Sequence, residues 1–210
     1  MKIGKFITLE GVEGVGKSTH LGFIASYLEK AGKTVLTTRE PGGTSIAENI
    51  RSLLLDHHEE LLCNEAELLL MFAARAQHIN HVIKPALHAG KWVVCDRFTD
   101  ATYAYQGGGR HFNTQDITWI ENFVQKGLTP DKTVLLDLAV EVGLQRAAKR
   151  SEPDRFESEQ QIFFENVRTV YLSRAKAEPN RFCVVDASQS IPLVQQSIAK
   201  HLDKVLNVNE

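Results

Sequence analysis

The sequence predicts an α/β fold in which five parallel strands form a sheet with helices on both faces. Five short apolar runs, several of them rich in β-branched residues, recur along the chain, and longer stretches with apolar residues at helical spacing lie between them. Strands that alternate with helices in this way are typical of doubly wound folds. Because 210 residues suit one compact core, we expect a single domain over residues 1–210.

The predicted strands are apolar on both faces, as expected of strands that are buried between two layers of helices. In chain order they cover residues 6–9, 34–37, 92–95, 133–136 and 182–185. An aspartate directly follows three of them, namely Asp96, Asp137 and Asp186. The carboxyl ends of parallel strands line the ligand crevice of such folds, so polar residues at these ends are candidates for a functional site.

The helices are predicted from apolar residues that recur at helical spacing. They cover residues 21–31, 65–87, 114–126, 140–150, 159–177 and 192–206. Gly32 suits the C-cap of the first helix, and Pro85 interrupts the second helix near its end.

Charge and cysteine content exclude several classes of function. The 24 lysines and arginines are balanced by 26 aspartates and glutamates, so the chain lacks the broad basic field that binds nucleic acids or anionic membranes nonspecifically. The longest apolar run, residues 68–74, is far shorter than the roughly 20 residues that span a bilayer, and residues 1–5 do not open a secretory signal. Three cysteines without a C-x-x-C pair indicate reduced thiols. We therefore expect a cytoplasmic protein that binds neither nucleic acid nor membrane.

A phosphate-binding motif carries the strongest functional signal. Residues 11–18, Gly-Val-Glu-Gly-Val-Gly-Lys-Ser, match G-x-x-x-x-G-K-[ST] between the first predicted strand and the first predicted helix. The glycines let successive N–H groups and the helix N-terminus face one phosphate cluster. Lys17 is placed to reach the β- and γ-phosphates, and the Ser18 hydroxyl can bind Mg²⁺. The motif predicts a nucleoside triphosphate site; the alternative is an ordinary glycine-rich turn.

Arginines near the strand ends predict a second anion site. The GTPase strings D-x-x-G and N-K-x-D are absent from the sequence, and small chains of this kind more often pass a phosphoryl group to a second small molecule. Arg39 follows the second strand and Arg97 follows the third, where a guanidinium can bind a phosphate in bidentate fashion. Arg75 shares a helix face with Met71 and Phe72, a surface on which a base could lie. The alternative for each arginine alone is a surface or ion-paired side chain.

Four segments of the chain resemble bacterial thymidylate kinases. They are residues 10–19, Glu-Gly-Val-Glu-Gly-Val-Gly-Lys-Ser-Thr; 38–44, Thr-Arg-Glu-Pro-Gly-Gly-Thr; 96–98, Asp-Arg-Phe; and 104–110, Ala-Tyr-Gln-Gly-Gly-Gly-Arg. The similarity runs from about Lys5 to the Asp-Ala-Ser segment that ends at Ser188. The resemblance implies the P-loop nucleoside-monophosphate-kinase fold. It also implies transfer of a phosphoryl group from MgATP to dTMP, giving dTDP and ADP for dTTP biosynthesis, in a cytoplasmic homodimer.

On the donor side, the resemblance implies that the whole motif binds ATP, with Arg146 against the adenine. The implied motif positions are Gly11, Val12, Glu13, Gly14, Val15, Gly16, Lys17, Ser18 and Thr19. A lid over residues 146–159 would supply arginines that close over ATP, with Arg150 as the first candidate and Arg155 as the second. Some family members carry an arginine at the position of Gly14, so its absence here implies the lid-arginine subtype. Asp96 would hold Mg²⁺ through water.

On the acceptor side, the resemblance implies that Arg39 and Arg97 hold the phosphate of dTMP. The remaining implied contacts are with the nucleoside: Glu13 with the 3′-hydroxyl, Arg75 with O4 of thymine, Thr102 and Gln106 near the base, and Tyr105 where a ribose 2′-hydroxyl would lie. The family's base-stacking phenylalanine precedes the helix arginine by four residues, and that position is Met71 here. We expect Phe72 to stack on the base, with Met71 as the alternative.

Overall fold

Five parallel strands form one sheet in the computed structural model, which describes residues 4–149 and 154–207 of the chain. In chain order they are β1 Phe6–Glu10, β2 Val35–Arg39, β3 Trp92–Asp96, β4 Lys132–Asp137 and β5 Phe182–Asp186. Their order in the sheet is β2-β3-β1-β4-β5. All five predicted strands are confirmed, and each ends one or two residues later than predicted.

Nine α-helices surround the sheet in the described part of the chain. They are α1 Lys17–Lys30, α2 Ser45–Leu55, α3 Asn64–His78, α4 Lys84–His88, α5 Thr99–Thr102, α6 Thr114–Gln125, α7 Val140–Ala148, α8 Gln161–Ala177 and α9 Ile191–Asn207. A π-helical segment, Ile79–Ile83, joins α3 to α4, and a second, Tyr103–Gly109, continues α5. In these ranges, no helix is long and apolar enough to cross a membrane.

Helix α2 and the helical segment 99–109 are absent from the sequence prediction. The side chain of Thr44 caps α2 by accepting a hydrogen bond from the Ala47 N–H. Two glycines directly precede Thr44, and such a pair is typical of a turn. The second segment contains three consecutive glycines, which disfavour helix. Packing against α8 explains it: a Cβ on Gly108 would lie 2.8 Å from a methyl group of Val170, so the glycine allows the close approach.

The core covers both faces of the sheet. Alternate residues of β1 point to opposite sides: Ile7 and Leu9 pack in the cluster that contains Ile24 of α1, whereas Phe6 packs with Ile79 on the other side. Each fully buried side chain of this kind stabilises the fold by about 2 kcal/mol. The two layers hold the carboxyl ends of β1, β2 and β3 side by side at one edge of the sheet.

Candidate active site

A cavity opens at this edge of the sheet, between the residue 11–18 motif, α2, α3 and residues 154–157. Its wall is polar at the motif and at four arginines, and its apolar lining includes Met71 of α3, Leu55 of α2 and Phe98. The lining includes Glu13, Gly14, Gly16, Lys17, Ser18, Arg39, Arg51, Met71, Arg75, Asp96, Arg97, Phe98, Thr102, Tyr105, Gln106, Asp154 and Phe156. The structure therefore brings most of the sequence-predicted residues into one cavity.

The residue 11–18 motif forms a loop that ends on the N-terminus of α1. Gly16 has φ 90°, a left-handed conformation that suits glycine, and no side chain caps the helix after it. The first N–H groups of α1 are thus left for an anion. The Lys17 ammonium donates to the carbonyl oxygens of Gly11 and Val12 at 3.1 and 2.9 Å. Burial and the nearby charge of Arg97 lower the pKa of Lys17.

Gly14 lies against the backbone of α7. A Cβ at position 14 would lie 1.9 Å from the carbonyl oxygen of Gly143, and a Cβ on Gly143 would lie 2.4 Å from that of Glu13. Because both contacts are with backbone atoms, no side chain fits at position 14 unless α7 moves. The loop and the helix that leads into the 146–159 segment are therefore packed directly together.

Glu13, Arg97 and Tyr105 form a closed hydrogen-bonded group at the next part of the wall. One carboxylate oxygen of Glu13 accepts from Nη2 of Arg97 and, at 2.9 Å, from the Tyr105 hydroxyl. Burial opposes ionisation of Glu13, but the charges of Arg97 and Lys17 outweigh it and lower its pKa to about 2. Nε of Arg97 is buried without a hydrogen-bond partner. An incoming anion could satisfy that donor.

Glu10 holds the turn that presents Arg97, and sequence reasoning did not identify this role. Arg97 has φ 66°, an unusual conformation for a side chain of its size. The carboxylate of Glu10 accepts from the Phe98 N–H at 2.7 Å and from the Tyr171 hydroxyl at 2.8 Å, so it ties the turn to α8. Complete burial, followed by the charge of Asp100, raises the pKa of Glu10 to about 8.

Arg39, Arg51 and Arg97 place three positive charges around the cavity. Arg39 is about half exposed and forms an ion pair with Glu48 at 2.8 Å. Arg51 donates to the Pro41 carbonyl at 2.9 Å. Burial and the charges of the other two arginines lower the pKa of Arg51. Such mutual repulsion favours an anion at this position. Arg51 was not among the residues predicted from the sequence, because α2 was not predicted.

Asp96 ends β3 beside the start of the residue 11–18 motif. Its Oδ1 is buried without a hydrogen-bond partner, and it lines the cavity with Ser18. A carboxylate oxygen that is buried and unsatisfied is suited to a cation or to a water molecule bound to one. Asp96 and Ser18 are therefore the described residues that best fit a magnesium ion.

Arg75 lines the cavity from α3. Its guanidinium donates to Glu40 at 2.6 Å, to the Thr102 hydroxyl at 3.0 Å and to the Phe98 carbonyl at 3.1 Å. The rings of Phe72 and Phe98 lie 4.9 and 5.1 Å from its central carbon. The guanidinium is 3% exposed, so its orientation is fixed by the protein.

The expectation for Phe72 needs correction. Phe72 is 2% exposed and packs with Leu68, Tyr103 and Ile117 in the core, whereas Met71 lines the cavity. Residues 71 and 72 both share a helix face with Arg75, but core contacts cover the ring of Phe72, whereas Met71 is left at the cavity. The methionine is thus the residue of this pair that can contact a ligand.

The two predicted lid arginines that the structure describes do not line the cavity. Arg155 donates to the Leu54 carbonyl at 2.8 Å and pairs with the buried Glu67 at 2.7 Å. Arg146 is exposed and donates to the Ala187 carbonyl at 3.3 Å. Asp154 and Phe156 face the cavity instead. Arg150, the first candidate, lies outside the described residues.

Gln106 connects the cavity wall to Glu67. Its side-chain amide donates to that carboxylate at 2.8 Å, and Arg110 contacts the same group at 3.2 Å. Glu67 thus joins α3, the glycine-rich segment after α5 and, through Arg155, the 146–159 segment. Glu67 and Arg110 were not among the predicted site residues, although Arg110 ends a segment that the resemblance rests on.

Comparison with known proteins places this site in a family. The family model described as "Thymidylate kinase" matches residues 9–198. Thymidylate kinase of Pseudomonas syringae pv. tomato is 56% identical over 205 residues, which is 98% of each chain. That of Alcanivorax borkumensis is 52% identical over 202 residues, 96% of this chain and 97% of the relative.

A solved structure agrees. The crystal structure of thymidylate kinase from Ehrlichia chaffeensis matches with a TM-score of 0.77 and 33% identity, over 95% of this chain and 98% of that chain. Together with the five-stranded parallel sheet and the phosphate-binding loop at its edge, these matches show that the chain belongs to the thymidylate kinase family.

Proposed function

We propose that the cavity is the site at which this member of the thymidylate kinase family transfers a phosphoryl group from ATP to dTMP, giving dTDP and ADP. One observation carries the proposal. One cavity is lined both by Lys17 of the phosphate-binding loop and by the cluster of Arg39, Arg51 and Arg97. A donor phosphate and an acceptor phosphate can therefore meet there.

The reaction needs positioning and charge stabilisation more than it needs a base. A nucleoside monophosphate has its second pKa at about 6, so its attacking oxygen is already ionised near neutral pH. Two polyanions must nevertheless be brought together in line. Positive groups that are fixed in a partly buried cavity stabilise the charge that develops during transfer.

On the donor side, we assign the loop residues 11–19 to ATP, with Lys17 at the transferring phosphoryl group and Arg146 toward the adenine. We assign Arg150 as the main lid arginine and Arg155 as the second. The contact of Gly14 with Gly143 supports this lid-arginine assignment, because a P-loop arginine at position 14 would collide with α7.

Mg²⁺ would be held by Ser18 and, through water, by Asp96. The unsatisfied buried oxygen of Asp96 supports this assignment. When bound, the ion shields the charge of the ATP phosphates and so favours their approach to the acceptor.

On the acceptor side, we assign Arg39, Arg51 and Arg97 to the phosphate of dTMP. We assign Glu13 to the sugar 3′-hydroxyl, since its pKa of about 2 keeps it an ionised hydrogen-bond acceptor. The remaining nucleoside contacts are Tyr105 at the 2′ position, Arg75 at O4, and Met71, Thr102 and Gln106 around the base.

An ADP-release assay across dTMP, dUMP, UMP, CMP, AMP and GMP tests the function. We expect the highest kcat/KM with dTMP. Equal or faster turnover of a different monophosphate would reject dTMP as the acceptor, and no turnover with any of the six would reject the kinase assignment.

We also propose that the protein is a cytoplasmic homodimer. Trp119 and Phe123 of α6 are each 70% exposed, and their rings stack in parallel with centroids 6.0 Å apart. A second copy of the chain would cover this apolar surface. Light scattering should give twice the monomer mass, and Trp119→Glu with Phe123→Glu should halve it. All three cysteines are free thiols, which suits a reducing compartment.

A further inference from the structure

His78 is a buried histidine whose partner Glu40 lines the cavity, and the proposed reaction assigns it no role. It ends α3, one turn after Arg75, and its side chain is fully buried. Both ring nitrogens have partners: Nδ1 lies 2.9 Å from Oε1 of Glu40, and Nε2 lies 2.6 Å from the Thr38 hydroxyl. Nδ1 is the donor to Glu40, because an ionised carboxylate can only accept.

Glu40 is shared between His78 and Arg75. Its Oε1 faces the histidine, and its Oε2 accepts from Nε of Arg75 at 2.6 Å. The Glu40 side chain is only 3% exposed, so its orientation is set by its contacts within the protein. The histidine holds one oxygen and thereby sets the direction in which the other meets the guanidinium.

The loop between β2 and α2 leaves space for the ring of His78 because it has a glycine beside the ring. Gly43 has φ +85°, and a Cβ there would lie 2.4 Å from Cδ2 and 2.6 Å from Nε2 of His78. The second glycine of the Glu-Pro-Gly-Gly run is thus required because the ring of His78 packs against it. This role differs from allowing the backbone to approach a phosphate. Glu40 lies in the same loop and Thr38 lies in the preceding strand β2, and both are partners in the chain of hydrogen bonds.

We infer that His78 is a positioning residue for base recognition: through Glu40 it orients the guanidinium of Arg75 that faces the base. The inference rests on the proposed function, in which Arg75 contacts the 4-position of the pyrimidine. Three N–H groups of Arg75 are bound by Glu40, Thr102 and Phe98, which leaves two for a ligand. A pyrimidine with an acceptor oxygen at position 4 fits such donors, whereas one with an amino group there does not.

Three substitutions separate this role from simple packing. His78→Phe keeps a ring of similar shape and removes both nitrogens. His78→Asn keeps an N–H donor near the position of Nδ1, toward Glu40, whereas His78→Gln places its amide near the position of Nε2, toward Thr38. His81→Phe, at an exposed histidine three residues later, is the matched control.

Steady-state kinetics with dTMP, dCMP and ATP provide the readout. We expect His78→Phe to raise KM for dTMP by about tenfold, the effect of losing one hydrogen bond to a charged group. KM for ATP should stay within about twofold, and the preference for dTMP over dCMP should fall. His78→Asn should restore more of the dTMP affinity than His78→Gln, and His81→Phe should resemble the wild type.

Two results would overturn the inference. One is an unchanged KM for dTMP and an unchanged dTMP preference in folded His78→Phe. The other is equal dTMP affinity in the His78→Asn and His78→Gln variants. If His78→Phe does not fold, this second comparison alone tests whether His78 acts through Glu40. Failure of the proposed function would look different, since the wild-type protein itself would then release no ADP with dTMP.

Discussion

On the acceptor side of the cavity, Arg75 is buried and held by Glu40, Thr102 and Phe98, whereas on the lid side Arg146 is exposed and Arg155 is bound to Leu54 and Glu67. The acceptor wall, meaning the cavity residues that we propose bind dTMP, is therefore organised at Arg75 without any ligand. The described lid arginines have their partners outside the cavity. Under the proposed assignments, acceptor residues should therefore act mainly on dTMP binding and lid residues mainly on turnover, because the lid arginines would reach the reacting phosphates only after the lid closes.

The largest effect is expected at Lys17, which belongs to neither wall. Lys17→Ala should leave a folded protein whose kcat is at least about 100-fold lower, because contacts to the transferring phosphoryl group strengthen in the transition state. Lys30→Ala, at the exposed far end of α1, is the control. Turnover near that of the wild type would refute the assignment of the loop.

Arg150→Ala tests the lid side of the comparison. We expect kcat to fall by at least about tenfold while KM for dTMP changes by less than about threefold, since the arginine acts on the transferring group. Arg155→Ala should have a smaller effect on kcat than Arg150→Ala. A variant that changes only the affinity for dTMP would contradict the donor-side role.

Arg51→Ala tests the acceptor side. Loss of one charge-assisted contact to the phosphate should raise KM for dTMP by about tenfold and leave KM for ATP unchanged. Because Arg39 and Arg97 repel Arg51 in the free protein, the melting temperature without ligand should not fall. If Arg51→Ala raised KM for ATP as much as KM for dTMP, the assignment of Arg51 to the acceptor phosphate would be contradicted.

The smallest expected effect concerns pH and the buried Glu10 below the acceptor wall. Its pKa is about 8 in the folded protein and 4.5 in a reference peptide, because burial and then Asp100 disfavour the charge. Between these values the unfolded chain loses the proton that the folded chain keeps, so folding stability decreases as pH rises.

Glu10→Gln removes this dependence and can keep both hydrogen bonds. The melting temperature of Glu10→Gln minus that of the wild type should therefore grow by about 2 °C or more between pH 5 and pH 8. A difference that is constant or shrinks with pH would show that Glu10 is ionised throughout.

Local patterns predicted the strands and the phosphate-binding loop correctly. Neighbouring residues determine a buried strand such as residues 92–95 and a fixed motif such as residues 11–18. Both can therefore be predicted from the sequence. The resemblance to a family added candidate roles for Arg39, Arg75 and Arg97, and the structure places all three at one cavity.

The remaining features depend on contacts between distant parts of the chain. Glu40 and His78 are 38 residues apart, and Arg51 reaches the cavity only because α2 folds over it. The choice between Met71 and Phe72 depended on which side chain the core covers, and tertiary packing determines that. Neither charge pattern nor periodicity carries this information.

Titration of dTMP into the ligand-free protein by calorimetry tests most directly whether the acceptor wall is organised before ATP binds. We predict that dTMP binds without nucleotide, with a Kd within about threefold of that at saturation with a non-hydrolysable ATP analogue, and that dCMP binds more weakly. If dTMP bound only when the ATP analogue was present, the acceptor wall would have to form on donor binding, which would contradict an acceptor wall that is organised in the free protein.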